Sequence, residues 1–169
     1  MSTNIHAEQK PLIYQIGKHV KLVDDATFCK SIIADGKELI TGEEYGAIRV
    51  LELKDEKVYI TFKEDLTSLA NAFSGCSALK SIPENLFANC PKATDFSFTF
   101  FGCKALTAIP EGLFANNPKV TIFQGTFSYC SALKSLPANL FANNRKVNSF
   151  RLTFSGCSAL ESISEKLFA

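Results

Sequence analysis

Four cysteines, Cys76, Cys103, Cys130 and Cys157, recur every 27 residues, and thiols at a fixed interval can cross-link, ligate a metal or act as nucleophiles. Each chemistry asks for a different neighbourhood. Disulfides need pairs that converge, whereas equivalent residues of neighbouring repeats point the same way, and these four sit where the apolar pattern asks for a small buried side chain. Free, buried thiols are therefore predicted. Metal binding needs clustered ligands such as a C-x-x-C pair, a spacing absent here, and the two histidines, His6 and His19, lie outside the repeat, so no metal site is expected. Cys90 occupies the slot that Asn117 and Asn144 fill in later copies and reads as a loop thiol, while Cys29 lies in the N-terminal part. These two are predicted to meet a thiol reagent first.

Other reactive side chains recur without partners. Ser77, Ser81, Ser131, Ser135 and Ser158 follow the repeat, but no histidine or carboxylate recurs with them to activate a hydroxyl. Gly75, Gly102 and Gly156 precede cysteines, yet Tyr129 fills the same slot in the third copy, which is no phosphate-cradling loop. Asp24/Asp25, Glu43/Glu44 and Glu64/Asp65 read as solvated turns. The chain is expected to be non-catalytic and to carry no cofactor.

These residues are spaced by a longer unit, FSGCSALKSIPENLFANCPKATDF in its first occurrence. Phe73, Phe100, Phe127 and Phe154 stand three residues before the cysteines; Leu79, Leu106, Leu133 and Leu160 stand three after. Ile82, Ile109, Leu136 and Ile163 follow, then the pairs Leu86/Phe87, Leu113/Phe114, Leu140/Phe141 and Leu167/Phe168, and Leu69, Phe96, Phe123 and Phe150 complete the set. Eleven of the fifteen phenylalanines fall in these columns, which makes the rings core rather than a ligand cage. One such unit has too little apolar surface to fold alone, so a solenoid of about four coils is predicted. Within a coil, Phe123, Phe127 and Cys130 at i, i+4 and i+7 suggest a short helix on the outer wall. SALKSLP reads as a short strand closed by Pro137, and ANLFANN as a helical turn stopped by paired asparagines.

Residues 1–66 fall outside the repeat. AIRVLEL, KDEK and VYITF read as a β-hairpin over 48–63, and PLIYQIG, HVKLV and TFCKSIIADGKELI as further short strands, together a β-rich cap or docking segment for the array at 67–169. Residues 1–66 hold nine Lys/Arg against twelve Asp/Glu, and residues 67–169 hold nine against five, within a net charge of +1. Part of the array's excess is a basic stripe of Lys92, Lys119, Arg145 and Lys146, opposed elsewhere by Glu84, Glu111 and Glu165. That balance is too mild for nucleic-acid binding. No apolar run approaches a membrane span or a secretory h-region, so a soluble, untargeted chain is expected.

The strings FSGCSALKSIPENLFANCPKATDF, FFGCKALTAIPEGLFANNPKVTIF and FSYCSALKSLPANLFANNRKVNSF resemble the repeat of BspA-like leucine-rich repeat proteins, which opens F-x-x-C-x-x-L-x-x-I/L. The resemblance covers residues 67–169. It implies an α/β, right-handed solenoid with its short strands in a parallel sheet on one side, and a bacterial surface protein that binds host proteins or other cells. Many relatives are longer and secreted. A structural or host-recognition role in a phage particle or other assembly, docked through the N-terminal segment, is the rival expectation. Either way the partner is a protein, and the predicted binding face is the strand side, where outward positions vary over a constant core: Lys80, Ser81, Thr107, Ala108, Lys134, Ser135, Glu161 and Ser162. Self-association through the uncapped C-terminal coil is also expected, because its core columns stay apolar.

Overall fold

The computed structural model describes residues 10–39 and 46–168; His6, Glu43 and Glu44 lie outside them. Its regular secondary structure is concentrated in antiparallel sheets. Strands β1 (Leu12–Tyr14), β2 (Gly17–Val23), β3 (Cys29–Ala34), β4 (Lys37–Glu38), β5 (Ile48–Leu53), β6 (Lys57–Phe62) and β7 (Leu79–Ser81) form one sheet of order β4-β3-β6-β1-β7 and a two-stranded sheet β2-β5. Alternation explains β6: Val58, Ile60 and Phe62 are buried while the residues between them are not. Asp35 and Gly36, both at positive φ, make the two-residue turn between β3 and β4.

The hairpin expected over 48–63 does not form. Strand β5 pairs with β2, setting Val20 opposite Val50, whereas β6 pairs with β3 and β1, setting Ile32 opposite Ile60 and Leu12 opposite Val58. The corner between them is held from outside. The Asp35 carboxylate accepts the N–H groups of Lys54 and Asp55 at 3.0 and 2.7 Å, so the chain leaves one sheet and enters the other. Tyr14 ties the two sheets together: fully buried on β1, it donates its hydroxyl to the Leu22 carbonyl of β2.

From residue 67 onward, successive copies of the repeat lie one on the next. Parallel bridges join Ser68 to Asp95, Asp95 to Ile122 and Ile122 to Ser149. Three phenylalanine columns run through the stack. Phe73, Phe100, Phe127 and Phe154 are near-parallel at centroid separations of 5.3, 5.4 and 5.8 Å; Phe87, Phe114, Phe141 and Phe168 follow at 6.1, 6.1 and 6.0 Å. Rings of Phe96, Phe123 and Phe150 interleave between those columns. Phe62 of β6 packs on Phe73 and Phe87, which makes the sheet core and the repeat core continuous.

No α-helix occurs among the described residues, and the helix expected around Phe123, Phe127 and Cys130 is a run of turns. Its donors go elsewhere. The N–H groups of Phe123, Gly125, Phe127 and Tyr129 reach the carbonyls of Ser149, Arg151, Thr153 and Ser155 in the next coil, at 2.7–2.9 Å. The same alternate-residue ladder runs from Leu69, Asn71, Phe73 and Gly75 to Asp95, Ser97, Thr99 and Phe101, and from Phe96, Phe98, Phe100 and Gly102 to Ile122, Gln124, Thr126 and Ser128. Left-handed backbone occurs twice per coil along this ladder, at Asn71, Phe98, Gly125 and Leu152 and again at Gly75, Gly102, Tyr129 and Gly156. That conformation interrupts a helix wherever it occurs. Gly156 serves a second need, since a Cβ there would lie 2.7 Å from the Tyr129 ring of the coil before.

The strand expected in each coil is realised as a strand only in the first, as β7, which pairs antiparallel with β1 of the N-terminal sheet. Later coils keep a sparser ladder there. Thr107 donates to Lys80, Lys134 to Thr107 and Glu161 to Lys134, each at 3.3 Å.

Candidate functional site

The predicted binding face is a column built on that sparse ladder. Leu79, Leu106 and Leu133 point inward and are fully buried, which turns the following residue outward. Thr107, Ala108, Lys134, Ser135, Glu161 and Ser162 are exposed, and Lys80 and Ser81 are half-buried because β1 runs alongside them. Lys80 Nζ stands 3.8 Å from the Glu56 carboxylate, an exposed pair of little energetic weight. The main-chain ladder places Lys80, Thr107, Lys134 and Glu161 in successive coils. Their side chains thus share one face, with two cations, a hydroxyl and a carboxylate. Lys92, Lys119, Arg145 and Lys146 are all exposed too, with Lys92 paired to Asp65.

The thiols are placed differently from two of the expectations. All six cysteines are free and buried. Cys29 and Cys90, expected to be accessible, are 2% and 0% exposed: Cys29 faces inward from β3, and Cys90 packs beneath the second coil, where Asn117 donates to its carbonyl. Cys103, Cys130 and Cys157 each donate their S–H to the carbonyl of a phenylalanine in the coil before, Phe73, Phe100 and Phe127, at 3.1–3.3 Å. Burial pushes the Cys29 and Cys76 thiols up to about 12 and Cys90 up to about 11, and raises Cys103, Cys130 and Cys157 as well. A thiolate at neutral pH is suppressed throughout, so the column is ill suited to nucleophilic or metal chemistry.

Cys157, 9% exposed, is the most accessible thiol, and a maleimide should label it first under native conditions, a fast phase that Cys157→Ser abolishes. Early labelling of Cys29 or Cys90 would contradict the burial described. Alkaline pH should also destabilise the fold. Raised folded-state values mean the unfolded chain loses its thiol protons first, so the stability from thiol burial is intact below the ordinary value of 9.0 and declines as pH climbs toward about 12. Denaturant midpoints between pH 8 and 11 measure it; a serine at Cys76 should flatten the decline.

A threonine column escapes the sequence reading, and the asparagine column, expected in a loop, is buried. Thr99, Thr126 and Thr153 are buried and donate their hydroxyls to Leu69, Phe96 and Phe123 in the preceding coil, at 2.9–3.0 Å. Asn117 and Asn144 are likewise buried. Asn117 Nδ2 donates to the carbonyls of Phe87 and Cys90, and Asn144 Nδ2 to those of Phe114 and Asn117. Recurrence of threonine before Phe100, Phe127 and Phe154 was the available signal. Buried polar groups that bond across the stack fix its register as well as satisfying themselves.

No family model, curated protein or solved structure matches this chain. Among the described residues no three His, Cys, Asp or Glu side chains are grouped as a metal site would require, and no helix is long and apolar enough to cross a membrane. A surface depression lined by Phe62, Glu64, Asp65, Ala88, Asn89 and Pro91 brings two acids together without a basic or nucleophilic side chain in its lining. The outward column remains the candidate site.

Proposed function

We propose that this chain is a non-catalytic protein-binding module, a right-handed leucine-rich repeat solenoid of the BspA-like type with residues 1–66 as its N-terminal cap. The resemblance of the repeat supports that type, and with it adhesion to host proteins or other cells at a bacterial surface. The observation that carries the reading is the column Lys80, Thr107, Lys134, Glu161: its backbone is pinned coil to coil, while its side chains differ in charge, size and polarity. A rigid row of dissimilar outward groups suits recognition of an extended protein surface better than small-molecule chemistry, for which no convergent acids and bases are at hand among the described residues.

Immobilised chain presented with host extracellular-matrix and plasma protein fractions tests the proposal. Binding is expected, and the double substitution Lys80→Glu, Lys134→Glu should weaken it at least about tenfold, a change of about 1.4 kcal/mol, without moving the thermal midpoint. Binding that ignores both substitutions moves the site off this column. Absence of binding from every fraction removes the adhesion reading.

A further inference from the structure

Each of the first three coils closes on the same tight turn. The N–H groups of Ala93, Val120 and Val147 donate to the carbonyls of Cys90, Asn117 and Asn144 at 3.1–3.3 Å. Pro91 and Pro118 hold the second position of the first two turns, where a fixed φ suits the bend. The backbone is pinned on both sides of the tip. Before it, the buried carboxamides of Asn117 and Asn144 donate to the Cys90 and Asn117 carbonyls of the preceding coil. After it, the N–H groups of Thr94, Thr121 and Asn148 donate to the carbonyls of Thr67, Thr94 and Thr121 at 2.8–2.9 Å. The tips themselves carry Lys92, Lys119 and Lys146, with Arg145 where the other turns have proline, and all four side chains are exposed.

Four cations therefore stand in single file over two coil steps, and equivalent rings of the second and third coils are only 5.4 and 6.1 Å apart. Like charges fixed this closely repel one another, and an anion laid along them relieves that repulsion. Lys92 is paired to Asp65, whereas Lys119, Arg145 and Lys146, all within one coil step, have no carboxylate in ion-pair reach among the described residues. Asn89, Asn116 and Asn143 form an exposed column beside the row. None of the large apolar side chains exposed among the described residues belongs to these turns.

We infer that this row is a binding edge for a linear, sulfated polysaccharide. A single file of cations matches a polyanion lying lengthwise along the stack. A membrane presents a plane instead, and its binding draws on apolar side chains that insert; single-stranded nucleic acid draws on rings over which bases stack. Neither feature is present at these tips. Sulfate esters stay ionised through the physiological pH range and lie close enough along a sugar chain for more than one to meet the three free cations of a single coil step. The neighbouring asparagines offer amide groups to the sugar hydroxyls. Because the turns are already pinned, little backbone ordering opposes association. The edge is a separate column from Lys80, Thr107, Lys134 and Glu161, so either site can fail without the other.

Size-fractionated heparin is the probe, titrated against the full chain at low salt. Lys119→Gln with Lys146→Gln should weaken binding about tenfold and lower the slope of log affinity against log salt by about 1.5, while the charge-matched pair Lys80→Gln with Lys134→Gln should change the affinity less than about threefold. Asp65→Asn, which frees Lys92 and places asparagine at a positive φ it tolerates, should tighten binding about twofold to threefold. Thermal midpoints should not move for the first pair or for Asp65→Asn, since these side chains are exposed. The inference is overturned if heparin does not bind at low salt, if the two lysine pairs weaken it equally, if Asp65→Asn leaves the affinity unchanged, or if a single-stranded oligonucleotide of equal charge or phosphatidylserine vesicles bind as tightly.

Discussion

Replacing Phe114 with alanine is expected to cost about 3–5 kcal/mol, against about 1 kcal/mol or less for the same change at Phe168 in the same column. Phe114 is fully buried and lies within ring contact of Phe87, Phe96, Phe123, Phe127 and Phe141, at centroid distances of 4.6–6.2 Å. Removing it opens a void between the first, second and third coils at once. Both junctions draw on that ring, and in a stack whose units contact only their neighbours a weakened junction is not bypassed by longer-range contacts. Since a domain of this size is typically stable by about 5–15 kcal/mol, Phe114→Ala should remove a substantial share of the stability of the fold. Phe168 loses only half its surface to burial, so its truncation removes little from the core. Urea denaturation of the two variants beside the parent measures the contrast. Equal losses, or a Phe114→Ala cost below about 1 kcal/mol, would mean that the ring columns are not the main source of cohesion.

Why the rings were readable, and the backbone between them was not, follows from what each depends on. A column of Phe73, Phe100, Phe127 and Phe154 needs only a constant period and a hydrophobic demand, both written in residue type. The path of the chain around them depends on φ. Positions i, i+4 and i+7 meet on one face of a helix, but a run of turns with left-handed backbone at Gly125 and Tyr129 also buries Phe123, Phe127 and Cys130. Glycine at 75, 102 and 156 signalled the left-handed slot; Tyr129, and Phe98 and Leu152 in the companion slot, disguised it, because bulky residues adopt positive φ only at a cost of about 1–2 kcal/mol. The bonds of the ladder must offset that cost.

The N-terminal segment failed in a different way. Its strand periodicity was plain, and β6 buries the residues its alternation indicates. Partner choice was not plain, because the charged turn at 54–57 suits a tight hairpin as well as the corner that Asp35, some twenty residues upstream, holds open. Of the candidate site, the outward column was legible because a fixed core implies fixed outward slots. Cys90 was misjudged for a related reason: its column mates are Asn117 and Asn144, and asparagine at the end of an apolar run reads as a polar loop residue until its carboxamide is seen to be buried.

That carboxamide supplies the second large expectation. Asn117→Asp should cost about 3–5 kcal/mol at neutral pH, well beyond the roughly 1–3 kcal/mol of Asn117→Ala. In the parent, Asn117 Nδ2 donates at 3.1 Å to the Phe87 carbonyl and at 2.9 Å to the Cys90 carbonyl, in a site with no exposure to solvent. Alanine leaves those two acceptors unmet. Aspartate adds a charge that has no donor to receive it, facing two carbonyl oxygens, while the parent's Oδ1 already lacks a partner there. Burial and the facing carbonyls both favour the protonated acid, so the carboxyl in the folded variant titrates above its unfolded value of about 3.9. The variant is nearest the parent below about pH 4, where the acid is neutral in both states, and loses ground as pH rises through the raised folded value. Alanine carries no titrating group and should show a constant gap. Urea midpoints of both variants at pH 4 and pH 7 decide it, because an aspartate gap that does not widen with pH would mean the asparagine column is wet, and the register between coils would then rest on the threonine and thiol columns alone.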